Sequence, residues 1–244
     1  MKVLAVETST DACSAALFID GVVTERFELT PKEHTRLILP MIDNLMSEAG
    51  LRPQQLDALA FSCGPGSFTG VRIATGVIQG IALGADLPVV PVSTLAAIAM
   101  DFFDSYSLEQ RAQDNYASNP VAYTAMDARM GEIFWGVYQQ DEAGLVNLLG
   151  KEAVTPALAI EFPELIGVGV GSGWGVYKDE LLSRLNGFVD RYEAHHLPRA
   201  SAIVRLGVRD FERGLAVPVE QAMPVYLRDK VAQNEVERQA QKQR

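Results

Sequence analysis

One order of elements runs twice along these 244 residues, and that repetition constrains the fold more than any single motif. In the first half an apolar run at 3–6 ends at Glu7. A polar turn at 8–12 leads into strand-like runs at 13–19 and 22–29, separated by Asp20-Gly21. Asp-Gly between such runs is a strong hairpin signal, so a three-stranded meander is predicted. Thr30-Pro31-Lys32-Glu33 combines a capping hydroxyl, a proline at the first helical position and a glutamate three residues after the cap, which predicts a helix running to about Gly50. A strand at 56–62, a glycine loop at 63–69, a second helix at 70–84, a short strand at 89–92 and a third helix capped by Ser93 follow.

After a polar stretch at 104–120 that reads as a linker, the order returns. An apolar run at 121–126 ends at Asp127, a turn at 128–132 leads to a strand at 133–138, and a further turn occupies 141–144. Later an apolar run at 165–170 enters Gly171-Ser172-Gly173-Trp174-Gly175 and a helix through Leu185. From Glu7 to Gly64 is 57 positions and from Asp127 to Gly171 is 44, so the copies share an order and differ in length. Hairpins followed by alternating helices and strands imply mixed sheets with helices on their faces, two α/β units enclosing a cleft. A single α/β sheet with accidental symmetry is the alternative.

A cleft of this kind suits a nucleotide, with Glu7 and Asp127 orienting a metal or water. Two features oppose it. The turn at 8–12 contains no glycine, although close backbone approach to a phosphate favours glycine. Gly64-Pro65-Gly66-Ser67-Phe68-Thr69-Gly70 is followed by Val71-Arg72, without the lysine of a Walker loop. A tight strand-to-helix turn is therefore the favoured reading. Histidines occur only at 34, 195 and 196, none with a partner four residues away on a helix, and a surface or capping role is expected for each. Cys13 and Cys63 read as small buried hydrophobes. No serine elbow or Cys–His pairing supports nucleophilic catalysis.

Charge bounds the partners. A formal −10 and a pI near 4.8 oppose direct sequence-independent binding to a polyanion, so any nucleic acid is expected to be held by another protein. Glu7 interrupts the first apolar run, no signal peptide or membrane-spanning stretch is read, and the cytoplasm is expected. The last residues, from 228 on, are polar and mixed in sign, as in a frayed helix or disordered tail.

Two helices carry more apolar surface than one sheet face usually needs. The first has parallel ridges, Leu37-Met41-Leu45-Ala49 and Ile38-Ile42-Met46, with Pro40 expected to kink it. On the second, Gly76, Gly80 and Gly84 recur every four residues beside Ile73, Val77 and Ile81, a flat strip open to a neighbouring helix. Both helices packing on their own sheet is one reading. The other is an exposed pair that docks onto a like pair.

The stretches VETSTDACSAAL (6–17), HTRLILPMI (34–42), GPGSFTGVRI (64–73), MDARMGEIFW (126–135) and PVYLR (224–228) closely resemble the bacterial TsaB (YeaZ) family, in order and over nearly the whole length. The resemblance implies an actin-like, Hsp70-type (ASKHA) fold of two RNase H-like lobes, here 1–105 and 106–228, with a polar tail at 229–244. It also implies a non-catalytic subunit of the machinery that places threonylcarbamoyl on N6 of adenosine 37 in tRNA. The catalytic paralogue, TsaD, holds the metal, and an ATPase, TsaE, completes the complex. At 92–100, where the paralogue carries metal ligands, this chain reads Val-Ser-Thr-Leu-Ala-Ala-Ile-Ala-Met.

Family members self-associate as homodimers, or bind the paralogue, through the two N-lobe helices. Carried over, that interface comprises His34, Leu37, Ile38, Met41 and Leu45 on the first helix, and Ile73, Gly76, Val77, Gly80 and Ile81 on the second. Glu7, Thr8, Ser9, Gly66, Thr69, Gly70 and Arg72 are the positions that would keep a vestigial nucleotide-facing role. No cofactor, metal or membrane is expected, and tRNA is met only through the complex. A nucleotide-dependent kinase or ATPase of the actin-like superfamily and a glycoprotease-like metallopeptidase are the competing readings, addressed by ATP hydrolysis and by zinc content.

Overall fold

The computed structural model describes residues 1–106 and 121–228; the expected linker lies mostly, and the expected tail wholly, outside these. Two five-stranded sheets share one topology. In the first, β1 (Lys2–Glu7), β2 (Ala12–Ile19) and β3 (Val22–Leu29) form the antiparallel meander, and β4 (Ala58–Gly64) and β5 (Val89–Ser93) add in parallel beyond β1, giving the order β3-β2-β1-β4-β5. The second repeats this with β6 (Val121–Arg129), β7 (Glu132–Gln140), β8 (Val146–Thr155), β9 (Gly167–Val170) and β10 (Val189–Glu193), in the order β10-β9-β6-β7-β8. The unequal spacing of the two copies has a simple source. Helix α1 (His34–Glu48) separates β3 from β4, whereas only a 3-10 turn at Ala157–Ala159 stands between β8 and β9.

Local chemistry accounts for the element ends. Asp20 and Gly21 have φ of 47° and 99°, as a two-residue hairpin that follows the strand twist requires. Ser67 caps α2 (Phe68–Ala85) by accepting from the Gly70 N–H, and Ser93 caps α3 (Thr94–Ser105) by accepting from Leu95 and Ala96. Helix α1 begins later than its signature predicts. Lys32 adopts φ of 68°, so residues 30–33 form a turn, Thr30 caps nothing, and Glu33 becomes the N-cap without a side-chain bond. Pro40 sits inside α1, which runs unbroken from His34 to Glu48.

Period-2 alternation divides the core. Leu4 and Val6 face α1 and α2, while Val3 and Ala5 face the opposite layer, built from α3 and α5 (Ala200–Glu212). Helix α4 (Ser172–Arg184) covers the far face of the second sheet around Trp135, Trp174 and Tyr123. The layers therefore run α1/α2, sheet, α3/α5, sheet, α4. Strands β8 and β10 and helix α5 have no counterpart in the sequence expectations. Although α5 follows the second sheet in the chain, it packs on β1, β2 and β4 of the first, across the division expected at residue 105. A Cβ on Gly207 would lie 2.6 Å from that of Ala60, so glycine there permits the close approach.

By length and composition α2 would pass as a membrane-crossing helix, contrary to the expectation that no such run exists. Its Val71, Ala74, Ile78 and Ala82 instead cover the first sheet. The apolar composition reflects one sheet-facing side plus the glycine-rich opposite one.

Candidate functional site

At the head of α2 the glycine loop lies in backbone contact with the turn after β1. Ser67 N–H donates to the Ser9 carbonyl at 2.7 Å, and Thr8 Oγ1 donates to the Gly70 carbonyl at 2.7 Å. A Cβ on Gly66 would stand 2.7 Å from the Ser9 carbonyl oxygen, and one on Gly70 would stand 2.0 Å from that of Thr8. These glycines thus serve chain-to-chain approach, and no room for a methyl group remains where a phosphate would be cradled. Glu7, Thr8 and Ser9 are wholly buried. Thr69 and Arg72 are exposed, the Arg72 guanidinium lying 3.3 Å from the Phe68 ring centroid and 5.5 Å from that of Tyr226.

The two acids that end β1 and approach the end of β6 are each taken up by their own turns. Glu7 Oε1 accepts from the Ser9 N–H and, at 2.5 Å, from its hydroxyl, while Oε2 has no partner among the described residues. Burial raises the Glu7 pKa above the usual carboxylate value, and hydrogen bonding from Ser9 only partly opposes it. Asp127 accepts from the Arg129 N–H at 2.8 Å, pairs with its guanidinium at 2.9 Å and meets Tyr177 Oη at 3.4 Å. Residues 222–228 then link the two halves, touching β4, α2 and β7. Val225 N–H donates to the Cys63 carbonyl at 2.7 Å, Gln79 to that of Ala222 at 2.7 Å, and Arg228 to Glu132 at 2.5 Å.

The expected docking helices divide by burial. His34, Ile38, Met41 and Leu45 are core residues of the α1/α2 layer, so the first helix does not expose its ridges. The His34 ring donates from Nε2 to the Ala12 carbonyl at 3.1 Å. Leu37, Ile73, Val77 and Ile81 are half-buried, whereas Gly76 and Gly80 are exposed. A Cβ placed on Gly76, Gly80 or Gly84 meets nothing within 4 Å among the described residues. Sequence reasoning missed Leu83, 75% exposed on this same face; its spacing of three from Gly80 was the available signal.

Other expectations meet their outcomes here. Both cysteines are free and buried, which pushes the Cys13 thiol up to about 11 and that of Cys63 up to about 12. His34 and His196 are buried, not at the surface, and only His195 is exposed. The stretch 92–100 offers no ligand set, since Ser93 is spent on capping and every side chain from 95 to 100 is buried. Also unforeseen is a cavity of about 510 Å³ lined in part by Ser93, Tyr138, Glu152 and Arg209. Glu152 accepts there from the Ser93 and Tyr138 hydroxyls, and burial raises its pKa.

Comparison with known proteins agrees with this architecture. The sequence model of the family described as TsaD, tRNA N6-adenosine threonylcarbamoyltransferase, matches residues 21–235. The TsaB protein of Escherichia coli strain K12, a tRNA threonylcarbamoyladenosine biosynthesis protein, is 43% identical over 236 residues, covering 95% of this chain and 96% of that one. Its namesake in Haemophilus influenzae is 35% identical, with 95% of each chain covered. The solved structure of YeaZ from Pseudomonas aeruginosa superposes with a TM-score of 0.79 at 39% identity, covering 93% of this chain and 99% of that one. With two like sheets, a glycine loop closed on its own turn and these relatives along nearly its whole length, the chain belongs to the TsaB (YeaZ) family of tRNA threonylcarbamoyladenosine biosynthesis proteins.

Proposed function

We propose that this chain is a non-catalytic, cytoplasmic subunit of the tRNA N6-threonylcarbamoyladenosine machinery, docking on a TsaD-like catalytic paralogue through the outer face of α2. A TsaE-like ATPase completes the assembly. The chain pairs with itself through the same face when alone, and its net charge of −10 leaves tRNA to be held by the complex. Residues 1–105 form the lobe that carries the docking face and 106–228 the second lobe, which lends α5 to the first sheet.

One observation carries this reading: the glycine strip is uncovered. Each glycine within a helix costs about 1 kcal/mol relative to alanine, and such costs are normally offset by close packing. At Gly76, Gly80 and Gly84 no packing partner is supplied among the described residues, and another surface supplies the return. A helix of the paralogue fits a strip flanked by the half-buried Ile73, Val77 and Ile81 and the exposed Leu83.

The test is co-purification of the untagged chain with the TsaD-like paralogue, using Gly80→Leu, together with tRNA modification assayed in the reconstituted system with and without this chain. Gly80→Leu is expected to fold and to lose the paralogue. Retention at wild-type strength would place the docking surface elsewhere.

A further inference from the structure

Where β10 ends, three potential metal-ligating side chains converge within four residues. Glu193 is the last residue of β10, and His195 and His196 follow it in the next turn. One ligand atom from each lies within 4.8 Å of the others. Glu193 Oε2 is 2.9 Å from His196 Nε2 and 3.8 Å from His195 Nε2. We propose that Glu193, His195 and His196 form a binding site for a divalent transition cation of the zinc class.

The supporting groups favour a metal over a chance cluster. His196 is 4% exposed, and its Nδ1 faces Asp101 Oδ2 of α3 at 2.7 Å. A carboxylate accepting from Nδ1–H fixes the ring orientation, so that Nε2, once it gives up the proton it donates to Glu193, turns its lone pair to the cation, the outer arrangement found around zinc-bound histidines. Phe102 packs edge-on against the same ring, at 5.6 Å between centroids. Glu193 is oriented likewise: its backbone carbonyl accepts from Gly171 N–H at 2.9 Å and its Oε1 accepts from Arg191 at 2.6 Å, leaving Oε2 for the cation. His195, with a side chain 76% exposed, supplies the third ligand and the route of entry.

Two imidazole nitrogens and one carboxylate oxygen suit zinc or cobalt, whereas magnesium and calcium call for all-oxygen sets. Bonds near 2.0–2.1 Å put tetrahedral ligand atoms about 3.4 Å apart, so the exposed His195 closes on the cation from a separation of at most 4.8 Å. The ion replaces the proton shared by His196 Nε2 and Glu193 Oε2, which leaves to solvent. A fourth coordination position stays open on the His195 side.

The experiment uses the full, untagged chain, freed of metal with a chelator and titrated with Zn²⁺ by calorimetry and with Co²⁺ by visible absorption. Wild type is expected to take up one ion in a saturable step with tetrahedral Co²⁺ bands. His195→Ala, at an exposed position that leaves the core intact, is expected to abolish that step. Asp101→Asn is expected to keep the stoichiometry and weaken affinity roughly 10- to 100-fold, as loss of an outer carboxylate does elsewhere. Absence of a saturable step in wild type, or its persistence in His195→Ala, overturns the proposal and leaves His196 as a strut between two carboxylates.

Discussion

Thr8 and Gly70, 62 positions apart, are locked together: the Thr8 hydroxyl donates to the Gly70 carbonyl at 2.7 Å, and a Cβ on Gly70 would stand 2.0 Å from the Thr8 carbonyl oxygen. Both partners in that clash are backbone, so neither can swing aside. Gly70→Ala is expected to destabilise the chain by about 3 kcal/mol, the upper range for overpacking. Gly66→Ala meets Ser9 at 2.7 Å and should cost somewhat less. Urea midpoints unchanged in both variants would show that the loop is not held against the turn.

The exposed glycines of α2 should respond in the opposite sense. With nothing among the described residues within 4 Å of an added Cβ, Gly76→Ala and Gly80→Ala are each expected to stabilise the free chain by up to about 1 kcal/mol. The same substitutions should weaken homodimerisation and binding of the TsaD-like paralogue. Thermal melts and sedimentation on the same samples separate the two effects. Stabilisation with unaltered association would mean that the strip faces solvent in the assembly as well.

Two leucines on the paired helices separate folding from docking. Leu45 is 2% exposed among the residues beneath α1, so Leu45→Ala is expected to cost about 3 kcal/mol. Leu83 is 75% exposed, and Leu83→Ala should leave stability within about 0.5 kcal/mol while lowering association. Chemical denaturation and pull-down of each variant make the comparison. Equal stability losses would contradict the assigned burial.

Burial of Glu7 imposes a pH dependence of definite sign. Its pKa is raised above 4.5 in the folded chain, so between that value and the folded one the native state holds more protons than the unfolded state. The protonated acid's contribution is intact below the unfolded value and is lost as pH rises through the folded one. Glu7→Gln should therefore gain stability relative to wild type as pH increases from about 4.5 toward neutrality. Urea midpoints measured across that range test it, and a difference that does not change with pH would refute it. Subtracting the variant from wild type removes the parallel contribution of Glu152, whose pKa is also raised.

Much of the architecture was legible because its signals are local. Asp20-Gly21 and Ser93 each act on neighbours within three residues, and their turn and cap formed as expected. Thr30 failed as a cap because Lys32 took a left-handed conformation, a choice that local propensity does not dictate. The candidate interface was half legible. Helical spacing put Leu45 and Gly80 on apolar faces, but spacing alone cannot say which face the chain covers itself.

The sequence by itself determined the duplicated element order, the first three-stranded meander, the glycine loop that launches α2 and the absence of ligands at 92–100. Periodicity, turn residues and side-chain type are all properties of short segments. Only the tertiary structure decided that α5 lies on the first sheet, where Ser14 accepts from the Ala200 N–H across 186 positions, and that Asp101 meets His196 across 95. It also decided which apolar surfaces are buried and which are left bare. Those outcomes depend on contacts between distant segments, whose closure is set by the packing of whole layers and leaves no periodic mark in the chain.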